Sequence, residues 1–228
     1  MWAAVWLPAR RRLGRGGPVA LQLRTGRMTV RDTTDLATVG EVLRDELYDV
    51  PGLDDVHEIV DLGSHIGTAI TYFRHRYPAA RIHGLEPDPG TFAALQANAG
   101  GLEGVTLDRR AISGRTGRST FFCSENSLAS SLVARRGSPV TVATVSLDEL
   151  MGELGLERID LLKLDVEGAE YDVLASCTRL EDVRAIAGEL HPGLVSRTPE
   201  EFFALLDGFE ISVDRFSDAS WQFQARRA

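Results

Sequence analysis

The stretch Glu58-Ile59-Val60-Asp61-Leu62-Gly63-Ser64-His65-Ile66-Gly67 reads as a short apolar strand running into a glycine-bearing turn. Residues 67–76 follow it with the composition of a helix. Gly63 permits a tight turn and a close backbone approach, and Gly67 lets the helix pack closely against the strand. The same alternation then repeats. Residues 81–85 form a second strand, 88–97 a helix after Pro87, and 105–108 a third strand. Residues 159–164, 169–176, 184–190 and 199–206 continue as strand, helix, strand, helix. Strands alternating with helices predict an α/β fold with a mostly parallel sheet, helices on both faces and right-handed crossovers.

Outward from this core the pattern changes. Strand-like 119–123 and 140–145 flank a polar stretch, 124–138, with Asn126 and Ser127 near its start. A connection of that length predicts a lid or a wall of the acceptor site. A helix is expected at 147–154. The chain closes with strands at 209–215 and 221–225, joined by Phe216-Ser217-Asp218-Ala219-Ser220, a hairpin that adds an antiparallel pair at one sheet edge. On the N-terminal side, 19–23 and 27–31 predict a hairpin about Thr25-Gly26. Thr34-Asp35 then caps a helix reaching Leu47, with Leu36, Val39, Leu43 and Leu47 at helical spacing and Pro51-Gly52 beyond. The organisation read from this is a basic segment (1–18), a hairpin and helix (19–52), and a cofactor-binding domain (53–228).

At 228 residues, with 43% hydrophobic and 25% charged, the composition is that of an ordinary globular α/β domain. No apolar run approaches the roughly 18 residues of a membrane span, and the arginines follow the first apolar residues, the reverse of a secretory signal. Cys123 and Cys177 lack metal-ligand spacing and read as reduced thiols of a cytoplasmic protein. Residues 1–31 carry seven arginines and no acid, leaving 18 basic against 33 acidic residues in the remainder. An acidic body argues against a nucleic-acid partner; self-association is left open. Lys163 is the only lysine.

In an open α/β sheet, ligands sit beyond the carboxyl ends of the strands. Glu86, 19 residues past Gly67, ends the second strand, where a carboxylate can accept both hydroxyls of an adenosine ribose. The glycines are spaced G-x-x-x-G rather than G-x-G-x-x-G, and Asp61 precedes the turn. A pyrophosphate needs bare amides at the helix start and is opposed by that carboxylate; a ligand carrying a positive amine and a sulfonium tolerates it.

Residues 60–67, 84–87, Ala111-Ile112-Ser113 and above all Ile159-Asp160-Leu161-Leu162-Lys163-Leu164-Asp165-Val166-Glu167-Gly168-Ala169-Glu170 resemble the FkbM family of methyltransferases, and Glu189-Leu190-His191-Pro192 is similar to that family's next strand end. The resemblance implies a class I methyltransferase (Rossmann-like) fold with seven strands in the order 3-2-1-4-5-7-6, and S-adenosylmethionine as methyl donor. It implies Asp61, Gly63, Ser64, His65, Gly67, Glu86, Pro87, Ala111 and Asp165 as cofactor-binding residues. Adenine is expected near Arg110-Ala111-Ile112, with Asp108 reaching it only if its loop turns inward. His65 departs from the asparagine more usual in the family and adds a group that titrates.

Methyl transfer to an alcohol must align donor and acceptor and remove one proton. Asp165, Glu167 and Glu170 follow the fourth strand of the alternating series, and Glu189 and His191 the fifth. The expected base is a neutral His191 supported by Glu189 or Asp165, with Glu170 read as a helix-terminal charge. A divalent ion on Asp165, Glu189 and His191 is the minority alternative, so no metal is expected. The leading reading is an O-methyltransferase of a small hydroxylated metabolite or glycoside. Carboxyl or N-methyl transfer, and a non-catalytic S-adenosylmethionine-binding subunit, are the alternatives.

Overall fold

The computed structural model describes residues 9, 12–13, 16–23, 26–124, 130–133, 137–215, 217 and 220–227, with Arg215 as backbone alone. Most of the basic head, Thr25, Asn126 and Ser127, and Phe216, Asp218 and Ala219 of the closing turn lie outside them. The chain opens with an antiparallel hairpin, β1 (Val19–Leu23) and β2 (Gly26–Val30), followed by α1 (Thr33–Arg44). Then come β3 (Glu58–Leu62), α2 (Thr68–Arg76), β4 (Arg81–Leu85), α3 (Pro89–Ala99) and β5 (Val105–Asp108). The insertion supplies β6 (Ala111–Ile112), β7 (Gly117–Cys123) and β8 (Ser138–Val145). The remainder is α4 (Leu147–Leu154), β9 (Leu161–Leu164), α5 (Glu170–Ser176), β10 (Ala185–Leu190), α6 (Pro199–Phe203), β11 (Phe209–Arg215) and β12 (Trp221–Arg227).

Seven strands form the central sheet in the order β5-β4-β3-β9-β10-β12-β11. Its pairings are parallel except those of β12, antiparallel to both β10 and β11. Neighbouring residues along a strand point to opposite faces, and both faces are covered. Val60, Leu162 and Ile186 pack with α4, α5 and Phe202 of α6. Ile59, Leu161 and Ala185 pack with α2, α3 and Val42 of α1. Each fully buried Leu, Ile or Phe contributes on the order of 1.5–3 kcal/mol, so two continuous cores hold the strand ends still.

Several boundaries differ from the sequence expectation, among them the helix expected at 199–206, which ends at Phe203, and some have a local reason. The cap of α1 is Asp32, whose side chain accepts from Thr34 N and Asp35 N, and the helix ends at Arg44 because Glu46 takes a left-handed φ of 55°. That leaves Leu47 and Tyr48 in a turn. The strand expected from residue 159 begins at Leu161, since the buried Asp160 carboxylate instead accepts from His57 N and Glu58 N. The short β6 pairs in parallel with β8, which pairs antiparallel with β7, so part of the insertion is a three-stranded sheet.

Candidate active site

The loop after β3 is shaped by three left-handed residues, Gly63 (φ 82°), His65 (φ 49°) and Gly67 (φ 91°). A Cβ on Gly63 would lie 1.9 Å from the Asp165 carbonyl oxygen, so glycine is the residue that lets the β3 and β9 loops touch. His65 sits in the region where asparagine is the better-tolerated non-glycine residue. Its backbone N–H donates to Glu86 Oε2 at 3.0 Å, while Asp88 N donates to Glu86 Oε1 at 2.9 Å. Burial pushes the Glu86 carboxyl up to about 8 against these backbone bonds.

The N-terminal hairpin braces this loop. Arg31 grips the fully buried Asp35 with Nε and Nη2, both at 2.8 Å, and its Nη2 lies 3.2 Å from His65 Nε2. Burial takes the His65 ring down to about 4, so the titration expected of it near neutrality does not occur.

Asp61, Ser64 and Gly67, expected among the cofactor-binding residues, are not among those that line the cleft. The Asp61 side chain is fully buried beneath the loop, in an ion pair of 3.2 Å with Lys163 Nζ. Ser64 Oγ donates to the Asp61 carbonyl at 3.0 Å, closing the turn. Gly67 faces Leu95 and Ala99 of α3 rather than a strand. Lys163 also donates to the Leu62 and Gly63 carbonyls at 3.3 and 2.5 Å and lies 3.7 Å from Asp165. The lone lysine therefore ties the two loops together from below.

Gly63, His65, Glu86, Pro87, Ala111 and Asp165 line one cleft of about 580 Å³, counting its open mouth, joined by Ile112, Phe121, Ser130, Leu132, Val166 and Glu167. Phe121 and Leu132 had no sequence signal as wall residues; they come from β7 and from the described part of the polar stretch after it. Asp108 and Arg110 do not contribute. Arg110 Nε pairs with Asp108 at 2.8 Å, and its Nη1 reaches Glu153 at 3.0 Å. The walls suit S-adenosylmethionine: a buried carboxylate with free lone pairs for ribose hydroxyls, an apolar slot for adenine, and Asp165 for a positive amine.

Beyond the cleft the strand ends converge. Strand β9 stops at Leu164, so Asp165 and Glu167 both sit in a loop and both face the cleft. Glu167 is held at φ 54°, a costly conformation of the kind that clusters at functional sites. Glu170 is buried, and its Oε1 accepts from Val166 N (3.2 Å), Gly168 N (3.0 Å) and His191 Nδ1 (2.9 Å). It positions the loop and the imidazole, beyond the helix-terminal role expected of it. His191 Nε2 lies 3.7 Å from Glu167 Oε1 and 3.6 Å from Glu189 Oε1. The buried Tyr48 hydroxyl, which carries no signal in the sequence because its partner lies 117 residues away, donates to Asp165 Oδ2 at 2.8 Å.

These surroundings correct the expected charge of His191. Burial alone would lower its affinity for a proton, but Glu170, Glu189 and Asp165 raise it to about 12, so His191 is an imidazolium. Burial, opposed by the His191 charge and reinforced by Asp165, raises Glu167 to about 8. Asp165, Glu167 and His191 each offer an atom within 4.8 Å of the others, a spacing a divalent ion could bridge.

A profile of the methyltransferase FkbM domain matches residues 61–210. Methyltransferase sdnD of Sordaria araneosa is 32% identical over 220 residues, covering 80% of this chain and 85% of that one. The 2-O-methyltransferase NoeI of Sinorhizobium fredii is 35% identical over 135 residues, 51% of this chain and 56% of its own length. Fibrillarin of Aeropyrum pernix, solved with natively bound S-adenosyl-L-methionine, shares the fold at a TM-score of 0.50 and 16% identity, covering 92% of this chain and 94% of that one. The chain belongs to the FkbM family of S-adenosylmethionine-dependent methyltransferases.

Proposed function

We propose that the chain methylates a hydroxyl oxygen of a small metabolite or glycoside, with Glu167 as the group that receives the acceptor's proton. The observation that carries this is one cleft bearing Glu86 and an apolar slot at one end and Asp165 with Glu167 at the other. Counted within the large sheet alone, its strands run 3-2-1-4-5-7-6, which supports a class I architecture.

When bound, S-adenosylmethionine supplies a methyl carbon already activated by its sulfonium. Glu86 would hold the ribose hydroxyls, Ala111, Ile112, Phe121 and Leu132 the adenine, and Gly63, His65 and Asp165 the methionine end. Tyr48 donates to Asp165 and Lys163 lies beside it, which suits Asp165 to orienting the positive end of the donor. A carboxyl raised to about 8 is well matched to proton removal near neutrality. The proton moves from the acceptor hydroxyl to Glu167 as the new carbon–oxygen bond forms. The His191 imidazolium and Glu189 steady that carboxyl from behind.

The acidic end also selects the acceptor. A carboxylate acceptor would be repelled by Asp165, Glu167 and Glu189, and a neutral amine needs no base before it attacks. NoeI is named a 2-O-methyltransferase, in line with a hydroxyl acceptor. Labelled donor incubated with hydroxyl, amine and carboxyl acceptors tests this by mass spectrometry. The expected product is a base-stable ether; label released by mild base, or carried on nitrogen, contradicts it.

A second reading has one observation in its favour. Glu170 holds His191 Nδ1, which turns Nε2 toward the carboxylates in the manner of an oriented metal ligand. A divalent ion there would supply positive charge next to the acceptor oxygen. If proton transfer to Glu167 suffices, EDTA leaves turnover unchanged; loss on chelation and recovery with Mg²⁺ or Mn²⁺ supports the ion instead.

A further inference from the structure

Behind the acidic cluster a groove of about 1240 Å³, counting its open mouth, runs between the α1–β3 turn and the edge strands β11 and β12. Its carboxylates come from separate elements: Glu41 from α1, Asp45 and Glu46 from the turn, Glu189 from β10 and Asp214 from β11. None of the described residues lining it is basic. Among the described residues, Arg44 pairs with Asp45 at its rim and His191 lies beside Glu189, leaving Glu41, Glu46 and Asp214 without an ion pair. Glu41 is held above the usual carboxylate range by loss of water and by the charges of Glu189 and Asp45.

A second feature, unrelated to charge, points the same way. Gln222 lines the groove at 5% exposure; its Nε2 donates to the Leu47 carbonyl at 2.8 Å, and its buried Oε1 has no hydrogen-bond partner. An unsatisfied buried acceptor is costly, on the order of 1–3 kcal/mol, unless a ligand donor meets it. Carboxylates and an amide oxygen together ask for a ligand that donates and carries positive charge. The groove also adjoins the reactive end. Glu189 lines it and lies 3.6 Å from His191 Nε2.

We infer that the acceptor is an amine-bearing polyol, an amino sugar or its glycoside, whose ammonium group lies in this groove against Glu41, Glu46, Asp214 and Gln222 Oε1 while its hydroxyl reaches Glu167. The inference rests on the proposed hydroxyl methylation and adds the acceptor's charge. The ammonium is kept from the donor's sulfonium by the Leu47–Tyr48 turn and the cluster itself, so the two positive charges are not forced together.

Calorimetry with chitosan trisaccharide and its fully N-acetylated counterpart tests this, since the pair share a backbone and differ in the ammonium groups. S-adenosylhomocysteine is titrated first, and each sugar is titrated with and without it. The charged sugar is expected to bind at least about tenfold more tightly, with the preference falling about fivefold in each of Glu46→Gln and Asp214→Asn. Equal affinities, no binding of the charged sugar, or an undiminished preference in both variants overturns the inference. Failure of S-adenosylhomocysteine to bind instead strikes the methyltransfer reading, while the sugar comparison without it still decides the groove.

Discussion

The donor end and the acceptor end of the cleft are built from different materials. Around Gly63, His65 and Glu86 the contacts are mostly backbone: two amides hold the Glu86 carboxylate and a glycine lets two loops meet. Around Glu167 and His191 they are mostly between ionisable side chains, drawn from the loop after β9, from α5 and from the end of β10. The first arrangement is a fixed mould. In the second each charge sets its neighbours', so one substitution alters the protonation of the rest. Substitutions at the donor end should therefore change binding, and those at the acceptor end turnover and its pH dependence.

The largest expected effect is at Glu167. Glu167→Gln should lower turnover roughly 10²- to 10⁴-fold, the usual contribution of a positioned base, with donor affinity nearly unchanged. In the parent protein kcat/KM should climb as pH rises toward about 8, as Glu167 loses its proton, and level off above. His191→Asn sharpens this. The imidazolium holds the Glu167 carboxyl down, so its loss should move the rise to higher pH while preserving it. A profile that flattens in His191→Asn and survives in Glu167→Gln would return the proton to His191.

Lys163→Met probes the tie between the two ends. It strands the fully buried Asp61 without its cation, and breaking such a pair costs about 3–5 kcal/mol. Denaturant unfolding measures it; a loss under about 1 kcal/mol would mean that Asp61 is satisfied in some other way.

A similar magnitude is expected at His65, but only in acid. The fold favours the neutral ring, so its contribution is whole above about pH 6.5 and is lost as pH falls toward about 4. His65→Asn should remove up to roughly 3 kcal/mol of this acid-dependent loss. An unaltered acid limb would show that His65 is not what destabilises the protein there.

The contrast also explains what could be read from the chain. The strand at residues 58–62 and the turn with Gly63 announce themselves within ten residues, because alternation and glycine spacing are local. Glu86 is legible because strand ends in such sheets converge. Three residues of the donor motif have contacts that the motif does not announce: Asp61 pairs with Lys163, Ser64 closes the turn and Gly67 packs on α3. At the acceptor end the residues were legible and their protonation was not. The charge of His191 depends on Glu170, 21 residues earlier, and the exposure of Glu167 depends on β9 stopping at Leu164. Tyr48 and the Arg31–Asp35 pair left no signal, since their partners lie across the sheet or in another loop.

The measurement that bears most directly on the two-ended cleft is calorimetry of S-adenosylhomocysteine against the parent protein, Glu86→Ala and Glu167→Gln in parallel. Glu86→Ala removes two hydrogen bonds to the ribose, each worth roughly 0.5–1.5 kcal/mol, so affinity should fall about tenfold. Glu167→Gln should bind as the parent does. Equal binding by all three proteins, or a loss confined to Glu167→Gln, would contradict the division between a donor mould and an acceptor-side base.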